Sequence, residues 1–167
     1  MPNNNLLDKR NTNNQIYING SFYHRSEAKI SVFDSGFLLG DGIWEGLRLV
    51  NNQWLFIDEH IERLIEGCLA IDITLNISRN QIKDAILETQ KINKMSDSAH
   101  ARVMITRGDK IKPFQQPSLS TSGINLVIIM EHSIEDPNFK GIKLVTVPQV
   151  RGTVEVLSKC WDMVEGT

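Results

Sequence analysis

The sequence predicts an α+β domain, a largely antiparallel sheet with two helices. Three observations carry that reading. Short alternating runs flank two turn signals: 16–18 and 22–24 around Asn19-Gly20, and 47–50 and 54–57 around Asn51-Asn52. Asn-Gly between such runs marks a hairpin, because the tightest hairpin turns need φ > 0 at both central residues. Two stretches with apolar residues at helical spacing follow the hairpins, and two apolar strand-like runs come after them. Strands and helices grouped in this way favour antiparallel pairing over a parallel crossover fold.

Residues 1–14 are polar and rich in asparagine, which predicts a disordered tail that buries little apolar area. The first helix is expected to start at Asp58 as N-cap, with Ile61, Leu64, Ile65, Cys68 and Leu69 as its apolar stripe. Ser78-Arg79-Asn80-Gln81 fits a capping box, and Ile82, Ala85, Ile86 and Thr89 mark the buried face of a second helix ending near Lys94. Strands are expected over 101–106 and 124–130. The second is almost continuously apolar and should be central in the sheet. Between them, 107–123 is a long polar loop with Pro113 and Pro117, and loops of that length in compact domains are often functional. The expected organisation is a domain over 15–131, a linker over 132–140, and over 141–167 the opening of an incomplete second domain whose first strand spans 142–147.

At 167 residues the chain is long enough for one domain with its own core. A net charge of -2 gives no reason to expect nucleic acid or an acidic membrane surface as partner. No apolar run approaches the roughly 20 residues that span a bilayer, and the start of the chain lacks a signal-peptide pattern. Cys68 and Cys160 form no disulfide framework, and His24, His60, His100 and His132 lack metal-ligand spacing, so no metal is expected. The default location is the reducing cytoplasm.

The stretch 31–48 organises the rest. Gly40-Asp41-Gly42 is a turn signal, and an alternating segment leaves it. Ile43, Glu45, Leu47 and Leu49 fall on one face, and Trp44, Gly46, Arg48 and Val50 on the other. The second face offers a flat ring, a gap without a side chain, and a cation able to grip two oxygens. That set suits a planar phosphorylated ligand; the plainer alternative is a half-buried strand with an exposed arginine.

Three segments then carry a resemblance: Val32-Phe33-Asp34-Ser35-Gly36-Phe37, Gly40-Asp41-Gly42-Ile43-Trp44-Glu45-Gly46-Leu47-Arg48, and Leu55-Phe56-Ile57-Asp58-Glu59-His60-Ile61-Glu62-Arg63-Leu64. In this order they resemble class IV aminotransferases, the fold-type IV enzymes that use pyridoxal 5'-phosphate. The family includes branched-chain amino acid aminotransferases, D-amino acid aminotransferases and aminodeoxychorismate lyases. The resemblance covers residues 16–151 and implies the small N-terminal domain of such an enzyme. Family members are longer, so the chain is expected to be truncated after that domain.

The resemblance implies roles for named residues. Arg48 matches the arginine that contacts the cofactor phosphate; its plainer reading is a surface ion pair. Trp44 stands where relatives carry an aromatic residue at the substrate pocket, and it is equally readable as a core tryptophan. Arg102 matches an arginine near the substrate in branched-chain enzymes, or it is a strand arginine reaching to water. His60 and Arg63 read as structural, and Arg107 and Gly108 as shaping the loop. Lys159 is the lysine available after Arg151 to form the cofactor Schiff base, and its alternative is an exposed lysine near the terminus. Lys112-Pro113-Phe114 stands where D-amino acid enzymes carry an Arg-x-His carboxylate trap, which argues against D-amino acid specificity. The implied activity is transfer of an amino group between a branched-chain L-amino acid and a 2-oxo acid, by a homodimer. The alternatives are an aminodeoxychorismate lyase-like enzyme and a remnant without catalysis.

Overall fold

Backbone hydrogen bonding assembles the chain into one sheet covered on one face by helices. The computed structural model describes residues 8–133 and 143–146. The first hairpin joins β1 (Gln15–Ile18) to β2 (Ser21–His24). Its turn residues Asn19 and Gly20 have φ of 49° and 90°, as the sequence requires. A short helix α1 (Ser35–Leu39) leads into β3 (Gly42–Val50), which turns at Asn51 and Asn52 into the two-residue β4 (Gln53–Trp54). Helices α2 (Ile57–Ala70) and α3 (Arg79–Ile92) follow, and then β5 (Ala99–Thr106) and β6 (Asn125–His132). The strand order is β2-β1-β6-β5-β3-β4, with every pairing antiparallel. The apolar run of β6 is therefore internal, between β1 and β5, as its composition implies.

Alternation sorts the strand residues onto two faces. Ile43, Leu47 and Leu49 of β3, Ala101, Val103 and Ile105 of β5, and Ile128 and Met130 of β6 are buried against Ile61, Leu64 and Cys68 of α2 and Ile82, Ala85 and Ile86 of α3. The capping box of α3 is present: Ser78 Oγ accepts from the Gln81 N–H, and Gln81 Oε1 accepts from the Ser78 N–H at 2.8 Å.

Four expectations are corrected. Residues of the expected tail are structured: Lys9–Asn13 form a 3-10 helix, and Asn11 and Asn14 are buried. Their amides satisfy backbone at the end of β6, with Asn14 Nδ2 donating to the Met130 carbonyl at 2.7 Å. β6 runs on to His132, the first residue of the stretch expected as a linker. Phe56, in the left-handed conformation, precedes the first turn of α2. Asp58 lies inside that turn and accepts from Lys83 Nζ at 2.8 Å instead of capping. Leu69 leaves the stripe at 63% exposure, because it stands one position past the buried Cys68 and turns off the packed face. Finally, residues 143–146 of the expected strand over 142–147 carry no strand pairing. The rest of the expected linker and second domain, Lys159 and Cys160 included, lies outside the described residues.

Candidate functional site

On the face of the sheet away from the helices, β3 and β5 bring three sequence-selected residues together. Trp44 is half-buried, whereas Gly46, Arg48 and Arg102 are exposed. The register sets Trp44 opposite Met104, Gly46 opposite Arg102, and Arg48 opposite His100. Arg102 reaches across to Trp44, its guanidinium carbon 4.4 Å from the ring centroid. Such a cation–π contact orients a long side chain that would otherwise sample many rotamers. Gly46 leaves real space on this face. A Cβ added there would meet nothing closer than Trp44 Cζ3 at 3.8 Å, so packing within the chain does not demand glycine.

The opposite face of β3 fixes this strand. Glu45, 2% exposed, accepts from Arg63 Nε at 2.7 Å and Arg63 Nη2 at 2.5 Å, and its Oε2 lies 2.7 Å from His60 Nδ1. A buried carboxylate needs such partners, because desolvation without them is costly. The bonds to Glu45 hold the Arg63 guanidinium above its ordinary pKa. The structural reading of His60 and Arg63 thus acquires a specific object. Glu45 was missed as that object, although its position among apolar neighbours on the buried face was the available signal.

Arg48 sits at the end of the open face towards the Asn51-Asn52 turn. Its charge joins the N–H groups of Asn51 and Ser98 in lowering the pKa of Asp97, with the Asn51 bond the leading cause. Beside it, a cavity of about 710 Å³ runs along the open face, from His100, Arg102 and Met104 of β5 over Val127 and Ile129 of β6 to Ile16 and Ile18 of β1. That volume is in the range of small-molecule pockets, about 300–1,000 Å³. Neither Trp44 nor Arg48 lines it, so the cation–π pair stands at its margin.

Two polar anchors shape the loops around this face. Buried Asp34 caps α1 by accepting from the Phe37 N–H, and it also accepts from Thr106 Oγ1 at 2.5 Å and Asn125 Nδ2 at 2.8 Å. Arg107 pairs with Asp41 at 2.7 Å and donates to the carbonyls of Ile71 and Asp72, tying the 107–123 loop to the end of α2. Gly108, at φ +90°, lies so close to the Gly123 carbonyl that no side chain fits. Both residues shape the loop, as expected. Among the described residues, no three His, Cys, Asp or Glu side chains could together hold a metal ion. None of their helices is long and apolar enough to cross a membrane.

A family model described as amino-transferase class IV matches residues 42–158, the segment containing this strand pair and its helices. The chain belongs to the class IV aminotransferase family. Among relatives of this class IV chain is a putative branched-chain-amino-acid aminotransferase of Methanocaldococcus jannaschii, 38% identical over 94 residues, covering 56% of this chain and 32% of the relative. A D-alanine aminotransferase of Staphylococcus haemolyticus is 29% identical over 141 residues, covering 82% of this chain and 49% of that protein. The fold matches the branched-chain amino acid aminotransferase from Escherichia coli. The TM-score is 0.63 at 20% identity, over 71% of this chain and 40% of that one. The class IV chain thus spans about a third to a half of the proteins it matches.

Proposed function

We propose that this chain contributes the substrate-facing sheet of a pyridoxal 5'-phosphate-dependent aminotransferase acting on branched-chain L-amino acids and 2-oxo acids. The observation that carries the proposal is the Trp44–Arg102 stack beside the open space at Gly46. The residues present fit the cofactor: a flat ring to bound it, a glycine that lets it approach the backbone, and the exposed Arg48 for its phosphate. Pyridoxal 5'-phosphate, when bound, supplies the electron sink for moving an amino group. The protein's part is orientation. Arg102, held by Trp44, presents its guanidinium to a substrate carboxylate, and the apolar floor of Met104, Val127 and Ile129 takes an aliphatic side chain. Lys159 is the proposed covalent anchor for the cofactor. Lys112-Pro113-Phe114 in the loop supports the L-amino acid reading over the D-amino acid one.

The proposal extends to a cytoplasmic homodimer. Val32, Phe33, Phe37, Ile111 and Phe114 are exposed apolar side chains on α1, the stretch before it and the 107–123 loop, joined by the Lys110 N–H donating to the Phe33 carbonyl at 2.9 Å, and they support a contact with a second copy. The test is titration of the purified chain with pyridoxal 5'-phosphate, then borohydride reduction and peptide mapping. Transfer from L-leucine and from D-alanine to 2-oxoglutarate is assayed in parallel. The expected result is a saturable visible band, label on Lys159, and transfer from L-leucine alone. No band, or label scattered over surface lysines, would overturn the cofactor assignment.

A further inference from the structure

At the end of β6, His132 underlies the amino-terminal 3-10 segment Lys9–Asn13. Asn11 clamps the backbone of this one residue from both sides: its Nδ2 donates to the His132 carbonyl at 3.0 Å, and its Oδ1 accepts from the His132 N–H at 2.7 Å. The imidazole Nδ1 is buried without a hydrogen-bond partner. A bare nitrogen lone pair tolerates that position, so the neutral ring carries its proton on Nε2. A second proton must go to Nδ1, where it would be a buried donor with no acceptor. The charged groups acting on the ring are Asp8 and Arg10, both from the amino-terminal segment. They are bonded to each other at 2.5 Å, so Asp8 is already engaged by Arg10. β5 sets the small, uncharged Ala99 opposite His132, and α3 adds no charged group to those acting on the ring.

We propose that His132 is a proton-sensitive latch holding the amino-terminal segment on the sheet. The neutral ring accepts the closed segment, and protonation requires the segment to lift so that Nδ1 reaches water. Burial, the leading cause, lowers the pKa of His132 from its ordinary 6.5, in the direction this mechanism requires. The latch is therefore fully closed well above pH 6.5 and weakens as pH falls from 6.5 towards the lowered folded value. Asn14 and Arg25, which line the cavity, each lose a hydrogen bond when it opens: Asn14 Nδ2 donates to Asn11 Oδ1 at 3.1 Å, and Arg25 Nη1 donates to the Asn11 carbonyl at 2.6 Å. The latch thus couples pH to one wall of the open-face cavity, whatever that cavity binds.

The test is amide hydrogen exchange on the whole chain at pH 7.5 and 5.5, corrected for intrinsic rates, with an NMR titration of His132. Protection of the Asn14, Arg25 and His132 amides is expected to fall at pH 5.5, by up to about tenfold for one histidine a pH unit below its unfolded value. Val103 and Ile128 should keep theirs. In His132→Gln, which does not titrate, the fall should vanish. A His132 pKa at or above 6.5, equal protection at both pH values, or the same fall in the variant would each overturn the latch. The pyridoxal 5'-phosphate titration neither supports nor removes it, so failure of one proposal leaves the other standing.

Discussion

Arg63 grips Glu45 with two nitrogens, at 2.7 and 2.5 Å, from the helix face behind the strand that presents Trp44 and Arg48. One buried carboxylate thus sets the seat of α2 on β3. Replacing Arg63 with Ala removes two hydrogen bonds from the buried Glu45 carboxylate. The expected loss is about 2–3 kcal/mol of unfolding free energy, below the range for a fully buried pair because Arg63 is partly exposed. Urea denaturation of the variant measures it. Glu45→Gln, which keeps the shape and hydrogen-bonding capacity, should cost less than Glu45→Ala.

The Trp44–Arg102 contact predicts a coupling. In a double-mutant cycle with Trp44→Leu and Arg102→Met, the pairwise term should be about 0.5–1 kcal/mol, the size of an exposed cation–π contact. A term indistinguishable from zero would mean that the ring does not hold the guanidinium in solution.

Gly46 separates folding from binding. Space above it is open, so Gly46→Val should leave the thermal midpoint within a few degrees of the parent, the valine suiting a strand. The same methyl groups stand where the ligand is proposed to approach. Affinity for pyridoxal 5'-phosphate should fall about tenfold or more, equivalent to about 1.4 kcal/mol. Absorbance titration of both proteins reads this out. A variant that binds equally well would remove Gly46 from the site.

Acid should reach the amino-terminal segment through a carboxylate as well. Hydrogen bonds from the Arg10 side chain and then its backbone N–H push Asp8 from 3.8 down to about 2. A lowered folded value means the contribution to stability is complete above about 4 and lost as pH falls through about 2. Carbon-detected NMR of the Asp8 carboxyl should show that low midpoint, and Arg10→Ala should return it towards 3.8.

Much of the site was readable because alternation is a strong rule. The split of Ile43, Glu45, Leu47 and Leu49 from Trp44, Gly46 and Arg48 follows from the two-residue repeat, and the sheet keeps it. The Trp44–Arg102 contact was not readable, since it depends on a register between strands far apart in sequence. The asparagines before β1 misled because composition averages over residues. Asn11 and Asn14 are polar, yet their amides match the free backbone groups at the end of β6 one by one. Asp58 illustrates competition between partners. A residue suited to capping was drawn instead to the Lys83 ammonium on the next helix. The α1 turn was hidden among its glycines, and its cap, Asp34, is recognisable mainly by the contacts it makes across the fold.

The strand order bears on how the chain reaches this state. β1 lies beside β6, and the Asn11–His132 bonds join residues 121 positions apart. The first hairpin to leave a ribosome therefore has no strand to pair with until β6 has been made. Closing so long a loop is entropically slow, so formation of the β1–β6 pair should be a late step in refolding. Substitutions at Tyr17 or Ile18 should then accelerate unfolding more than they slow folding, whereas changes in the β3–β5 pair should show the reverse.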